Sequence, residues 1–287
     1  MPIGLTKVAA KFAESDRHLK LDDGLVRRWL VQFLRDECIR RRGVQKAIVG
    51  LSGGVDSAVT TALSVEAFGA ENVFVFRLPY KKSSKESLDH AQMIIDQYGL
   101  DARTIDITQM ADGYREPHEP EMSDSRLGNV CARCRMIVLY DQAAKLGGLP
   151  IGTGNKTERL FGYFTWHADD SPPINPLGDL FKTQVWDLAR EMDIPKEIVE
   201  KPATADLIEG QTDEADFGIS YQDADRILVF LTKGYPAQKL VDMGFKAEQV
   251  EVVYKRVSGT HWKRRMPTVA MVSDSAIGEY YRRPVDY

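Results

Sequence analysis

The stretch Val49–Val59, V-G-L-S-G-G-V-D-S-A-V, decides the fold. Lys46 to Leu51 is a short apolar run of the kind that fills a buried strand, and the residues from Ser57 onward have the composition of a helix stopped at Gly69. Between them Gly53 and Gly54 permit tight backbone geometry and bring N–H groups close to a ligand. The helix that follows aims its unpaired N–H groups and the positive end of its dipole at the same point. Ser52 and Ser57 add hydroxyls, so the stretch reads as a cradle for phosphate oxygens. Neither G-x-x-x-x-G-K-[ST] nor G-x-G-x-x-G is present, which sets aside the Walker loop and dinucleotide redox chemistry. Asp56 carries a further clue: a carboxylate beside phosphates is repelled unless a cation such as Mg²⁺ lies between them.

Working outward, strands over Asn72–Pro79 and Ala102–Ile107 flank a helix over Ser84–Gly99, and a helix from Asn129 to Lys145 leads to a short strand within Gly148–Gly154. This alternation predicts an α/β fold, a Rossmann-like parallel sheet with helices on both faces, whose ligands belong outside the carboxyl ends of the strands. His167–Leu180 is rich in Pro, Asp and Gly and reads as loop, as does Lys201–Ser220; a helix over Lys182–Ile194 separates them. Helices over Tyr221–Lys233, Pro236–Met243 and Ala247–Val257 form a helical C-terminal flank. With no repeat or linker, one domain over residues 1–287 is expected.

The chain has 287 residues, 43% of them hydrophobic and 28% charged, as in ordinary globular proteins. Its net charge of −4 offers no general attraction to nucleic acid. No apolar run approaches the ~20 residues that span a bilayer, and the N-terminus lacks the pattern of a secretory signal, so a cytoplasmic location is expected. Three cysteines are too few and odd in number for a disulfide framework. Cys131 and Cys134 spell C-x-x-C inside a helical pattern, without further ligands at zinc spacing, and read as packing residues.

S-G-G-x-D-S after a strand resembles the pyrophosphate loop of the ATP pyrophosphatase superfamily, whose members adenylate a substrate and release pyrophosphate. Further along stand G-N-V-C-A-R-C-R-M (Gly128–Met136), G-T-G-N-K-T-E (Gly152–Glu158), G-Y-F-T (Gly162–Thr165), I-N-P-L-G-D-L-F-K-T-Q-V (Ile174–Val185), G-Q-T-D-E-A-D-F-G-I-S-Y (Gly210–Tyr221) and K-R-R-M-P (Lys263–Pro267). In this order, from about Leu25 to Pro267, they resemble the ammonia-dependent NAD synthetases.

The resemblance implies ATP-dependent amidation of deamido-NAD with ammonia through an acyl-adenylate, giving NAD, AMP and pyrophosphate. It implies that Ser52, Gly53, Gly54, Val55, Asp56 and Ser57 hold the ATP phosphates, that Arg77 and Ser83 lie on the adenosine side, and that Thr153, Lys182 and Thr204 contact ATP or departing pyrophosphate. Asp56 and Glu158 would ligate Mg²⁺. Asn129, Arg133, Asp169 and Lys263 would serve deamido-NAD, with Asp169 also placed to take a proton from ammonium; Asp56, Lys182 and Asp169 are the candidate catalytic residues. A homodimer is implied as well. The chemistry is consistent with these residue types: backbone N–H groups, Mg²⁺ and lysines stabilise a pyrophosphate leaving group.

The sequence departs from the family pattern at Ala168 and Pro173, near the pyridine end, and at Trp262, where many relatives carry His; His261 stands beside it. Fewer residues precede the loop than the ~50 a domain usually needs, so a glutaminase domain is not expected. Two alternatives remain at this stage: an ATP pyrophosphatase acting on another carboxylate or a tRNA base, and a nucleotide-binding sensor without turnover.

Overall fold

The computed structural model describes residues 14–204, 212–265 and 268–272. Its sheet has four parallel strands in the order β3-β2-β1-β4: β1 (Ala47–Gly50), β2 (Val73–Arg77), β3 (Asp101–Thr104) and β4 (Leu149–Pro150). β1 lies between β2 and β4, with Ala47 opposite both Val73 and Leu149. Its side chains alternate between two cores. Ala47, Val49 and Leu51 join one, with Leu34, Leu63, Ile94, Val185 and Leu188, and Ile48 joins the other, with Phe76, Ile107, Leu127 and Val138. Burial on both faces is why the strand is a continuous apolar run rather than an alternating one.

The helices in chain order are α1 (Asp23–Leu34), continued by a π-helical turn at Arg35–Arg40, α2 (Val55–Phe68), α3 (Lys85–Tyr98), α4 (Thr108–His118), α5 (Asp124–Leu146), α6 (Lys156–Phe161), α7 (Lys182–Glu191), α8 (Lys196–Glu200), α9 (Asp213–Phe217), α10 (Tyr221–Leu231), α11 (Ala237–Asp242) and α12 (Ala247–Gly259). α2 is buried along most of its length because it packs against β1, β2, α1 and α7 at once. Phe217, Tyr221, Phe230, Leu240 and Val253 form a third core that joins α9–α12 to Phe161 and Phe181. Each such side chain contributes about 1.5–3 kcal/mol by leaving water.

The predicted parallel α/β architecture is present, with some boundaries moved. The helix expected from Asn129 begins at Asp124, where the Ser123 hydroxyl accepts a hydrogen bond from the Arg126 N–H at 3.4 Å. Helices α1, α4 and α8 were not foreseen, and the segment expected to be loop from Lys201 to Ser220 contains the short α9. Cys131 and Cys134 are free thiols buried on α5, as their reading as packing residues requires.

The turn after β1 is fixed by one close approach. Gly53 has φ +83°, and a Cβ added there would stand 2.0 Å from the Ser87 carbonyl oxygen. Any side chain therefore has to push the start of α3 away from the loop. Gly53→Ala should weaken binding of the phosphate-bearing ligand expected from the sequence, ATP, by at least ~10-fold, because the loop amides no longer converge on one anion. Equilibrium titration with ATP, with circular dichroism to confirm folding, checks this.

Candidate active site

The loop Ser52–Ser57 is braced from within. The Ser57 hydroxyl donates to the Gly54 carbonyl at 2.9 Å and accepts the Ser52 N–H at 3.2 Å, while the Ser52 hydroxyl accepts the Gly54 N–H at 3.3 Å. Gly54 offers α2 no side-chain cap, so the first-turn amides face outward for a ligand.

Two further helix starts converge on this loop. At α6, Asn155 and Glu158 form a capping box: the Asn155 Oδ1 accepts the Glu158 N–H at 3.0 Å and the Glu158 Oε2 accepts the Asn155 N–H at 3.3 Å. The Asn155 Nδ2 then donates to the Asp56 Oδ1 at 2.9 Å, which fixes both acids through one buried amide. At α7, the Lys182 ammonium is buried, donates to the Asp56 Oδ2, and lies 3.7 Å from the Glu158 Oε1 and 5.3 Å from the centre of the Tyr221 ring. Asp225 locks the two starts together. Its carboxylate accepts the Thr157 hydroxyl at 2.6 Å, and the Thr183 N–H and hydroxyl at 2.9 and 2.8 Å.

The site holds more negative than positive charge. Among the described residues the cation paired with Asp56 and Glu158 is Lys182, and Asp213 stands near, its Oδ2 accepting the Tyr221 hydroxyl at 2.8 Å. Burial first, and then the charge of Asp56, raises the Glu158 carboxyl above its ordinary value, against the pull of Lys182. The Asp213 carboxyl is raised chiefly by burial. Such a surplus fits a cation. Among the described residues no group of three or more His, Cys, Asp or Glu is gathered for a metal. Asp56 and Glu158 alone match Mg²⁺, which commonly takes one or two carboxylates and completes its shell with phosphates and water.

A cavity of about 380 Å³ opens over the loop, at the carboxyl ends of β1 and β2. It is lined by Ser52, Gly54, Val55, Asp56, Ser57, Arg77, Ser83, Thr153, Glu158, Asp169, Lys182 and Thr204, so the structure brings together most of the sequence candidates. Gly53 forms the back of the loop instead. Arg77 donates to Gln92 at 2.6 Å through Nη1, and its buried Nε has no hydrogen-bond partner among the described residues. Asp169 is exposed, with surface open to the cavity; desolvation by the protein packed around its carboxyl pushes it up to about 6, although the Thr165 N–H donates to it at 2.8 Å.

Asn129, Arg133 and Lys263 do not line the cavity; they tether the segment that carries Asp169. Asn129 accepts the Thr165 hydroxyl at 2.8 Å, Arg133 donates to the Trp166 carbonyl at 3.1 Å, and the Lys263 ammonium donates to the carbonyls of Gly162 and Phe164, each at 2.5 Å. Trp262 meets Trp166 edge to face at 5.2 Å, and the Nδ1 of His261 lies 2.8 Å from the Ser258 carbonyl. Lys201, Tyr163 and Asp213 line the cavity but escaped the sequence reading, as did Asn155 behind it. Only Asn155 left a local signal, an Asn three residues before a Glu at a helix start.

The NAD synthase family model matches residues 26–267. The chain belongs to the NAD synthase family. NAD synthase relatives include the NH(3)-dependent NAD(+) synthetase of Trichlorobacter lovleyi, 43% identical over 94% of this chain and 98% of that protein. The protein of the same name from Chlorobaculum parvum is 42% identical over 94% and 97%. Among solved structures, the NH3-dependent NAD synthetase of Campylobacter jejuni superposes with a TM-score of 0.75 at 27% identity, covering 88% of this chain and 100% of that one. The NMN synthetase of Francisella tularensis superposes with a TM-score of 0.78 at 29% identity over 88% and 99%.

Asp225 gives this NAD synthase site a stability test. Burial raises its carboxyl to about 6 from an ordinary 3.8, so the stability linked to its proton is complete below 3.8 and is lost as pH rises through about 6, while the hydrogen bonds it accepts from Thr157 and Thr183 remain. Asp225→Ala, which strands the Thr183 amide and two hydroxyls, should cost about 2–4 kcal/mol in urea unfolding at neutral pH. Asp225→Asn should gain stability relative to the wild type as pH rises from about 4 to about 6, read from the same unfolding curves.

Proposed function

We propose that this protein catalyses the ATP-dependent amidation of deamido-NAD with ammonia, releasing AMP and pyrophosphate. The single observation that carries the reading is the convergence of the Ser52–Ser57 cradle, the Asp56–Lys182–Glu158 cluster and Asp169 on one cavity. The family membership and the names of the relatives support it.

A carboxylate resists attack by an amine, so it is first joined to the α-phosphorus of ATP with pyrophosphate departing. The loop amides and Lys182 take up the charge that grows on the leaving group, fixed in place before the reaction begins. Asp56 and Glu158 would hold Mg²⁺, which when bound supplies charge neutralisation on the phosphates. Asp169 then binds ammonium and accepts a proton from it, leaving ammonia to attack the acyl carbon. Ser83 and Arg77 serve the adenosine side, while Asn129, Arg133 and Lys263 serve deamido-NAD by fixing the Asp169 segment.

We take residues 1–287 as one catalytic unit that acts as a homodimer in the cytoplasm, without nucleic acid or membrane as partner. The acidic net charge and the absence of any membrane-crossing helix among the described residues support that setting. The buried, burial-raised thiols of Cys131 and Cys134 speak against a sulfur-transfer enzyme acting on tRNA, and the retained Lys182 speaks against a passive nucleotide sensor. Likeness to an NMN synthetase, together with Ala168 and Pro173 beside Asp169, favours one second reading, in which the acid is a mononucleotide.

Pyrophosphate release from ATP and Mg²⁺ with ammonium, compared between deamido-NAD, nicotinate mononucleotide and bulk tRNA, tests the assignment; release with deamido-NAD is expected to dominate. Asp56→Asn should lower kcat by about 10²-fold or more, the scale of losing a preorganised electrostatic group, with an unchanged circular dichroism spectrum. Asp169 must be ionised to accept a proton, so amide formation should fall as pH drops through about 6, and Asp169→Asn should abolish that limb while adenylation, followed by isotope exchange between pyrophosphate and ATP, persists.

A further inference from the structure

Lys201, directly after α8, has no part in the chemistry set out above. Lys201 lines the cavity, and its ammonium donates to the Ser87 hydroxyl at 3.0 Å. Ser87 is the residue whose carbonyl oxygen abuts Gly53, so Lys201 stands one side chain away from the phosphate loop, at its Gly53 edge. Lys182 stands at the Asp56 edge. The ion pair of Lys201 is lopsided: the lysine side chain is only 11% exposed, whereas its partner Glu86, 3.3 Å away, is 64% exposed. An exposed carboxylate is a weak, solvent-screened counterion. Among the described residues, this nearly buried ammonium has a neutral hydroxyl and a screened acid for company, which is poor compensation. The residue lines a cavity whose proposed ligand is a polyanion.

We propose that Lys201 is a second phosphate-binding cation, which leaves Glu86 to hold the outer two phosphates of ATP and the departing pyrophosphate. The proposal rests on the reading of this cavity as an ATP-cleaving site. A compact ammonium on a flexible stem suits the task, since it acts on phosphate as a point charge and swings between partners at little cost. With Lys182 at one edge of the loop and Lys201 at the other, the leaving group is clamped from two sides, and the role assigned to Lys201 is toward the pyrophosphate rather than the AMP half.

Equilibrium binding of inorganic pyrophosphate and, separately, of AMP to the full chain in Mg²⁺, by titration calorimetry, tests the idea. Lys201→Met should weaken pyrophosphate binding about 10- to 100-fold, the loss expected for one charge-assisted hydrogen bond, and leave AMP binding unchanged. Lys201→Arg should retain most of the pyrophosphate affinity, and Ser87→Ala and Glu86→Gln should keep it at or above the wild-type level. Equal pyrophosphate affinity in Lys201→Met and wild type overturns the proposal, and so does a matched loss of AMP and pyrophosphate binding, or a loss in Ser87→Ala as large as in Lys201→Met. A wild type that binds no pyrophosphate overturns both this assignment and the ATP-cleaving reading, whereas the other failures strike Lys201 alone.

Discussion

The buried contact between Asp56 and Lys182 is the constraint around which the site is arranged. Its carboxylate comes from the first turn after β1, and its ammonium from the first turn of α7, 126 residues later in the chain. Neither charge is tolerable in that place alone, since an isolated buried ion costs several kcal/mol even after relaxation. The fold therefore has to deliver both helix starts to one point. Asn155 and Asp225 do this by fixing the two acids and the two helix starts with neutral or charge-assisted hydrogen bonds.

The pair is also incomplete by design. Glu158 and Asp213 add negative charge that Lys182 cannot neutralise, and the open amides of the Ser52–Ser57 loop add positive potential a few residues away. A metal–nucleotide complex offers both signs at once, cation toward the acids and phosphates toward the amides. The arrangement that leaves the site electrostatically uneven is thus complementary to that class of ligand.

The sequence made the sheet and the cradle legible for local reasons. β1, the glycine turn and the start of α2 are contiguous, and each is dictated by short-range chemistry: an apolar run buried on both faces, a φ that only glycine adopts easily, an uncapped helix start. The positions of Glu158 and Lys182 were legible through resemblance rather than physics, because nothing in K-T-E or F-K-T announces that the two helix starts meet. Lys201 and Asp213 were illegible for a different reason. Both sit in what reads as polar loop, and only the folded chain shows them facing a cavity. Asn129, Arg133 and Lys263 illustrate the converse: family motifs group them with the substrate, while their hydrogen bonds run to the segment carrying Asp169 and they do not line the cavity.

The Asp213 N–H donates to the Ala203 carbonyl at 2.9 Å, and this one backbone bond pins Asp213 beside the residues that follow α8. Chain inserted or trimmed between those two anchors changes the closure entropy only by about 0.6 kcal/mol for each doubling of length. The bond therefore holds Asp213 beside α8 at an entropic cost that depends only weakly on how much chain it closes, so the register of the acid is set by the clasp and not by the length of the connection.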